Sequence, residues 1–180
     1  ELKSAGFGDM VGKYVGLIDW QVSHLLTGEY YCEKVANLTR SATDKIMALC
    51  DRITLDDEES AGAVFEALLL TGIGMSFTKT SRPASGTEHI LSHFWECKKL
   101  LEGKLSDFHG KKVGVATLLI MKEYAKLLKL EKVKAKKEVN DWQDIYDNYG
   151  DLKEEVIKLN TPDTITDDID PKKIEENWDK

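Results

Sequence analysis

The sequence predicts an all-helical fold, and three observations support this prediction. Apolar residues recur at spacings of three and four positions, which is the period of an amphipathic helix. Strand-like alternation of apolar and polar residues is scarce. The three prolines, Pro83, Pro162 and Pro171, lie outside the strongly periodic segments, where they would interrupt a helix. Because 42% of the 180 residues are hydrophobic, the chain is able to form one domain with a core.

The first two helices are predicted from the periodic segments nearest the start of the chain. The first helix is expected to run from near Asp9 to Leu26, after a bend at the glycines of residues 6–8. The second is expected to cover residues 29–52, with a break around residues 39–41. Both segments carry apolar residues along one side and polar residues along the other.

The third helix is predicted to be the central element of the domain. Thr54, with Asp57 three positions later, fits the pattern of a helix start. Residues 61–77 are apolar on nearly every side, which is typical of a buried helix. Residues 78–86 follow as the most loop-like stretch of the first half.

The second half of the chain is predicted to begin with two further long helices. The fourth helix covers residues 87–101, and the fifth covers residues 112–128. The remainder is richer in charge, and shorter helices are expected near residues 140–149, 152–159 and 171–178.

Charge and composition exclude several classes of partner. Twenty-five basic residues against 32 acidic ones give a net charge of -7, which repels nucleic acids and anionic membranes.

The longest apolar stretches, residues 67–75 and 113–121, are shorter than the roughly 20 residues that span a bilayer, and no secretory signal is recognised. Cys32, Cys50 and Cys97 form no Cys-x-x-Cys pair, so buried thiols of a cytoplasmic protein are expected.

Three of the four histidines fall within residues 89–109, which indicates a candidate metal site. His89 and His93 are four positions apart and so project from one face of a helix. Neutral imidazoles are common ligands of divalent metals, and His109 would add a ligand from another element. Spacing alone favours an ordinary solvent-facing or hydrogen-bonded pair. Because Ile90 follows His89, the motif of helical zinc proteases is excluded.

Three stretches, in a consistent order, resemble one known family. Residues 6–14 read GFGDMVGKY, residues 81–96 read SRPASGTEHILSHFWE, and His109-Gly110 is followed by VGVAT at residues 113–117. Together they resemble the motifs of sn-glycerol-1-phosphate dehydrogenases, especially the bacterial branch described with arabinose-utilisation operons. That family belongs to the superfamily of glycerol dehydrogenase, iron-dependent alcohol dehydrogenases and dehydroquinate synthase. The resemblance extends to at least Leu128 and is weak in the acidic tail.

The resemblance implies a fold and a set of site residues. Residues 1–180 would form the helical C-terminal domain of the dehydroquinate synthase-like, iron-containing alcohol dehydrogenase fold, with an N-terminal nucleotide-binding α/β domain absent from this chain. Asp9, His89 and His109 match the metal ligands, and His93 matches a catalytic histidine close to the metal. The remaining motif residues, candidates for substrate binding, are Lys13, Ser81, Arg82 and Glu88.

The implied cofactors are one divalent metal and NAD(P)H. A carboxylate and two imidazoles leave such an ion an open coordination position, where it polarises a carbonyl oxygen as a Lewis acid. The resemblance favours zinc or nickel, and the ligand set also suits iron. No strand–glycine–helix unit for a dinucleotide is recognised, since Gly72 and Gly74 lie within an apolar helix. The missing half is therefore expected to bind NAD(P)H, and this chain alone to bind metal without turnover.

The expected function is the NAD(P)H-linked reduction of dihydroxyacetone phosphate, a small phosphorylated ketone, to sn-glycerol 1-phosphate. The resemblance further suggests a homo-oligomeric, cytoplasmic enzyme. One alternative is a glycerol dehydrogenase or another alcohol dehydrogenase of the same superfamily. A second alternative is a non-enzymatic helical interaction module. Arg82 has two interpretations, since its guanidinium would either grip a substrate phosphate or brace its own loop.

Overall fold

A computed structural model of the chain describes residues 1–137, 142–159 and 169–180. These residues form α-helices and short 3-10 turns, and no strand occurs among them, which confirms the all-helical prediction. The helices are α1 (Leu2–Val11), α2 (Lys13–Thr27), α3 (Glu33–Met47), α4 (Glu58–Thr78), α5 (Thr87–Leu101), α6 (His109–Leu127), α7 (Trp142–Tyr149), α8 (Lys153–Leu159) and α9 (Pro171–Glu176).

The glycines of residues 6–8 lie inside α1 and do not form the predicted bend. A Cβ atom on Gly8 would overlap the carbonyl oxygen of Gly110, and one on Gly110 would overlap the carbonyl oxygen of Ala5. The missing side chains therefore let the backbones of α1 and α6 touch, a use of glycine that the prediction did not consider. We call this contact between Gly8, Gly110 and Gly114 the α1–α6 crossing. The helical segment is interrupted later, at Gly12, between α1 and α2.

Two predicted features of the second and third helices are wrong. Helix α3 is continuous through residues 39–41, where the buried Thr43 hydroxyl donates to the Thr39 carbonyl at 2.9 Å and so is satisfied within the helix. Helix α4 begins at Glu58, because the Asp57 carboxylate accepts a hydrogen bond from the Ser60 amide at 2.8 Å. This bond caps a free amide of the first turn, so Asp57, and not Thr54, defines the start.

Helix α4 is buried on one face only, which corrects the prediction that it is buried all round. Its inward face packs against α1 and α3. Large apolar side chains on its other face are exposed, namely Phe65, Leu69, Ile73 and Phe77. Helix α4 has 21 residues and contains an 18-residue window with a mean hydropathy of 1.4, so it is long and apolar enough to span a membrane. Length and composition alone are weak evidence for that, because core helices of soluble proteins have the same properties.

Two apolar clusters hold the first four helices together. The larger, which we call the α3–α4 core, joins α1, α3 and α4 through Met10, Ala42, Ile46, Ile53, Ala63, Val64 and Ala67. The smaller joins α2 and α3 through Leu17, Trp20, Val35 and Ala36. The buried indole of Trp20 donates to the Tyr30 carbonyl at 2.7 Å, which satisfies its polar group.

Helices α5 and α6 carry the histidines and pack against each other. Helix α5 has the predicted bounds, and its first amide, that of Thr87, donates to the Asp19 carboxylate at 2.6 Å. Helix α6 begins at His109, three residues before the predicted start. His109 therefore lies on the first turn of a helix and not in the link before it.

The C-terminal helices agree with the predictions where the structure describes them. Helices α8 and α9 fall within two residues of their expected bounds, and α9 starts with Pro171 after the capping carboxylate of Asp170. The first residues of the segment predicted at 140–149 lie outside the described residues. The Trp178 indole donates to the Leu130 carbonyl at 2.8 Å, which ties this region to the end of α6.

The cysteines are less buried than expected. All three are free thiols; Cys50 is exposed, and Cys32 and Cys97 are half-buried. Cys50 lies in the 3-10 turn after α3, where no other element covers it in the described structure, so the expectation of a buried thiol is wrong at this position.

Candidate metal centre

Three side chains from three helices converge at one end of the α1–α6 crossing. Asp9 lies on α1, His89 on the first turn of α5 and His109 on the first turn of α6. The Asp9 Oδ1 atom is 3.2 Å from His89 Nε2 and 3.8 Å from His109 Nε2. The centroids of the two imidazole rings are 5.2 Å apart. The geometry therefore joins three residues that lie far apart in the sequence.

The spacing of these atoms fits a single divalent ion. One oxygen and two nitrogen atoms of this group lie within 4.8 Å of one another. A tetrahedral ion with bonds of about 2.1 Å holds its ligand atoms about 3.4 Å apart. The measured separations of 3.2 and 3.8 Å lie on either side of that value. Small side-chain movements would be enough for all three atoms to contact one ion.

Asp9 also forms an ion pair with Lys13, one turn later. The Lys13 Nζ atom is 3.0 Å from Asp9 Oδ2, and the lysine side chain is only 2% exposed. Burial raises the pKa of Asp9, but hydrogen bonds from His89 and Lys13 outweigh this effect and lower it to about 2. The carboxylate is therefore ionised at neutral pH, as a metal ligand must be.

His89 is held by a buried carboxylate that precedes it in the sequence. Glu88 is fully buried, and its Oε1 atom lies 2.6 Å from His89 Nδ1 and accepts from the Gly86 amide at 3.1 Å. Burial lowers the pKa of His89, but its hydrogen bonds with Asp9 and Glu88 raise it above the ordinary value overall. Because Glu88 holds Nδ1, the His89 Nε2 atom faces Asp9.

A second carboxylate, Glu96, contacts the other two histidines of the group. Its oxygens lie 3.0 Å from His109 Nδ1 and 2.9 Å from His93 Nδ1, and Lys112 Nζ is 3.2 Å away. Burial raises the pKa of Glu96, but these hydrogen bonds lower it to about 2. His93 itself is 59% exposed, and its ring stacks on that of His109 with centroids 5.0 Å apart.

Two cavities open on either side of Asp9. One, of about 500 Å³, is mainly apolar and is lined by residues that include Phe65, Phe108 and His109. The other, of about 530 Å³, is lined by Asp9, Lys13, Leu68, Thr71, Gly72, Met75, Ser81, Ala84, Ser85, His89 and His93. We call the second one the polar cavity, since it combines charged, hydroxyl and imidazole groups.

The four further motif residues occupy different positions. Lys13 and Ser81 line the polar cavity, whereas Glu88 lies behind His89. The Arg82 guanidinium forms two hydrogen bonds of 2.8 Å to Glu29 and one of 3.3 Å to Ser23. These contacts favour the interpretation that Arg82 braces its loop, with the Glu29 carboxylate as its main partner.

Sequence reasoning missed Glu96 as a member of the site. Glu96 is three positions after His93, a spacing that brings two side chains together on a helix. That spacing was a usable signal for the contact with His93. The contact with His109 required knowledge of how α5 and α6 pack, which periodicity does not supply.

Possible metal ligands, a carboxylate and two imidazoles, therefore converge beside the polar cavity of an all-helical domain. The chain is 46% identical to the glycerol-1-phosphate dehydrogenase (NAD(P)+) of Halalkalibacterium halodurans over 121 residues, or 67% of this chain. It is 36% identical to the Geobacillus stearothermophilus enzyme over 170 residues, or 92% of this chain. The chain belongs to the glycerol-1-phosphate dehydrogenase family. No family model matches it.

The similarity covers only part of these relatives. The matched regions make up 30% of the Halalkalibacterium protein and 42% of the Geobacillus protein, in their C-terminal part. The glycerol-1-phosphate dehydrogenase of Thermococcus kodakarensis, 37% identical over 131 residues, is covered to 36%. The chain therefore spans less than half the length of the curated relatives that it matches.

Proposed function

We propose that this chain supplies the metal- and substrate-binding half of an NAD(P)-dependent glycerol-1-phosphate dehydrogenase that reduces dihydroxyacetone phosphate. The convergence of Asp9, His89 and His109 next to the polar cavity carries this proposal. The names of the relatives support the nucleotide and the product. The metal, the direction of reaction and the division of labour between two halves are our inference.

In this proposal Asp9, His89 and His109 hold one divalent ion. When bound, the ion would polarise the ketone oxygen of the substrate as a Lewis acid. Asp9 contributes a negative charge, and the two imidazoles contribute neutral Nε2 atoms, so the site keeps a net positive charge for an anionic substrate. This local charge is needed because the whole chain has a net charge of -7.

The polar cavity is proposed as the substrate site. A volume of about 530 Å³ is ample for a small phosphorylated ketone. Lys13 and Ser81 line this cavity, and ammonium and hydroxyl groups bind phosphate or hydroxyl oxygens. In the structure the Lys13 ammonium pairs with Asp9 at 3.0 Å, so its contact with a phosphate would require it to share or leave that pair. Arg82 and Glu88 are assigned other roles, since their polar groups contact Glu29 and His89.

His93 is proposed to handle the proton that the reduced carbonyl oxygen requires. Its ring lines the polar cavity and is exposed, while its Nδ1 atom is held by Glu96. A histidine in this position is able to pass a proton between solvent and substrate. The nicotinamide is proposed to approach from the half of the enzyme that this chain does not include. Homo-oligomer formation and a cytoplasmic location also remain proposals.

Substitution of the ligands tests the metal site. We expect purified wild-type chain to bind one divalent ion, as measured by inductively coupled plasma mass spectrometry. His89→Ala and His109→Ala should each lower the bound fraction at least tenfold. His24→Ala is the matched control, because His24 lies on α2 and contacts the Glu29 carbonyl. Unchanged stoichiometry in the two ligand variants would remove the assignment.

The two alternative functions predict different results. A glycerol dehydrogenase would prefer unphosphorylated substrates, which a substrate panel with the full-length enzyme would detect. An interaction module would bind no metal, and a chelator would leave its melting temperature unchanged. The same elemental analysis would identify the metal among zinc, nickel and iron.

A further inference from the structure

Glu96 is a carboxylate that hydrogen-bonds the Nδ1 atoms of two histidine rings of the site, on the side of the rings away from Asp9. It lies on α5, between His93 on the same helix and His109 on α6. Its Oε2 atom is 2.9 Å from His93 Nδ1, and its Oε1 atom is 3.0 Å from His109 Nδ1. Lys112 Nζ, at the end of the first turn of α6, lies 3.2 Å from the same Oε1 atom.

The chemistry of these contacts defines which ring nitrogens carry hydrogen. An ionised carboxylate only accepts hydrogen bonds, so each Nδ1 atom that contacts Glu96 must donate. Lys112 donates to the same group and favours its ionised form. Neutral His93 and His109 are therefore both held as the Nδ1–H tautomer, with a lone pair on Nε2.

The two rings that Glu96 contacts both lie at the site. His109 Nε2 points towards Asp9, whose Oδ1 atom is 3.8 Å away. The His93 ring lies almost parallel to the His109 ring, at an angle of 21°, and lines the polar cavity. One carboxylate thus orients a predicted ligand and a predicted proton carrier together.

Glu88 provides a useful comparison within the same site. It holds His89 Nδ1 at 2.6 Å and is fully buried, but it contacts one ring only. Removal of Glu88 would disturb one imidazole and the buried start of α5 at once. Glu96 is 19% exposed and lies on the third turn of α5, so its role can be tested with less damage to the fold.

We propose that Glu96 is a positioning residue that fixes His93 and His109 in the Nδ1–H tautomer and so couples the metal ligand to the proton carrier. The tautomer part of this inference stands on the contacts alone. The expected effect on metal affinity rests on the proposed function. Carboxylates that orient metal-binding histidines typically strengthen metal binding by about 10–100-fold.

Nitrogen NMR of the metal-free chain tests the tautomer directly. Two-bond hydrogen–nitrogen correlation spectra at about pH 8, above the ordinary imidazole range, separate the Nδ1–H and Nε2–H forms. We expect His93 and His109 to be Nδ1–H in the wild type and to shift towards Nε2–H in Glu96→Ala. Glu102→Ala is the control, because Glu102 caps the end of the same helix and pairs with Lys104.

Glu96→Gln keeps the size of the side chain if the alanine variant does not fold. The amide nitrogen of glutamine donates and cannot accept from a ring N–H, so at least one of His93 and His109 should lose the Nδ1–H form. Wild-type tautomers for both rings in the folded variant would overturn the proposal.

A zinc titration against a chelator of known affinity separates the two inferences. We expect Glu96→Ala to weaken binding about 10–100-fold and Glu102→Ala to leave it unchanged. If the wild type binds none of zinc, nickel and iron, the proposed function fails, while the NMR result still decides the tautomer role. If Glu96→Ala binds zinc as tightly as the wild type, the coupling to the metal ligand is excluded.

Discussion

The α1–α6 crossing and the α3–α4 core hold α1 from opposite sides by different means. At the crossing, Gly8 and Gly110 remove side chains, so the two backbones come into direct contact. In the core, Met10, Ile46 and Val64 fill the space between α1 and its neighbours with apolar side chains. The crossing depends on the absence of side chains, whereas the core depends on the burial of apolar side chains.

The difference indicates that the crossing positions the site, whereas the core stabilises the fold. Asp9 on α1 reaches His109 on α6 because the crossing allows the two helices to approach closely. Several polar groups that gather there pair with one another, as Asp9 does with Lys13, whereas the buried Oε2 atom of Glu88 has no hydrogen-bond partner among the described residues. The apolar core contributes no ligand atom, but burial of its side chains is the main favourable term in folding.

Gly110→Ala should have the largest effect, because the new Cβ atom would overlap the Ala5 carbonyl, which is backbone and cannot rotate away. We expect a loss of about 3 kcal/mol or more in the free energy of unfolding. The separation of α1 and α6 should also weaken zinc binding at least tenfold. Urea unfolding and a zinc titration measure the two effects.

Gly62→Ala is the matched control for that variant. Gly62 lies within α4, and no described atom comes within 4 Å of a Cβ placed there. The same change should therefore be neutral or should stabilise the helix by about 0.5–1 kcal/mol. Equal stability and equal zinc affinity of the two alanine variants would contradict our account of the crossing.

Ile46→Ala tests the other side of α1. Ile46 is fully buried in the α3–α4 core, and its truncation should lower the free energy of unfolding by about 2–5 kcal/mol. The folded fraction should retain wild-type zinc stoichiometry, since Asp9 keeps its contacts with α6. Ile46→Val, which removes one methyl group, should lose only about 0.5–1.5 kcal/mol. Loss of zinc in parallel with stability would show that the two regions are not separable.

The two regions also differ in how far the sequence predicted them. Periodicity predicted α3, α4 and α6, but it did not predict α1 as a separate helix, since the first predicted helix began near Asp9. The motifs around Asp9, His89 and His109 identified the residues that converge. The glycines of residues 6–8 were misread as a bend, because glycine favours both turns and close helix contacts. For Gly8, only the contact with Gly110 distinguishes a close helix contact from a turn, and Gly110 lies about one hundred positions later in the sequence.

Other errors have the same origin in tertiary contacts. The apolar residues of α4 predicted burial all round, yet which face is covered depends on the neighbours that are present, here α1 and α3. The start of α4 was placed at Thr54 because Thr54, with Asp57 three positions later, fits the pattern of a helix start. Asp57 is itself a good capping residue. Arg52 pairs with Asp57 and so helps to make Asp57 the capping residue. The position of Arg52 relative to α4 depends on the 3-10 turn in which Arg52 lies.

Asp57→Asn should have the smallest effect, and it concerns the end of α4 that leads into the core. Hydrogen bonds from Arg52 and from Ser60 lower the pKa of Asp57 to about 2 from its usual 3.8. Because the pKa is lower in the folded state, the ionised group stabilises the fold above about pH 4. This contribution is lost as the pH falls towards 2. Asparagine keeps a capping oxygen but removes the charge.

The wild type should therefore be more stable than Asp57→Asn at pH 7, and the two should converge between pH 4 and 2. Urea unfolding at several pH values measures this difference. Asp56→Asn, the same change at the exposed neighbouring position, serves as the control. A difference that stays constant down to pH 2 would assign the effect to the shape of the cap and not to its charge. Zinc affinity should be unchanged at pH 7, since Asp57 caps the start of α4, whereas the α4 residues that line the polar cavity, Leu68 to Met75, lie about three to five turns further along the helix.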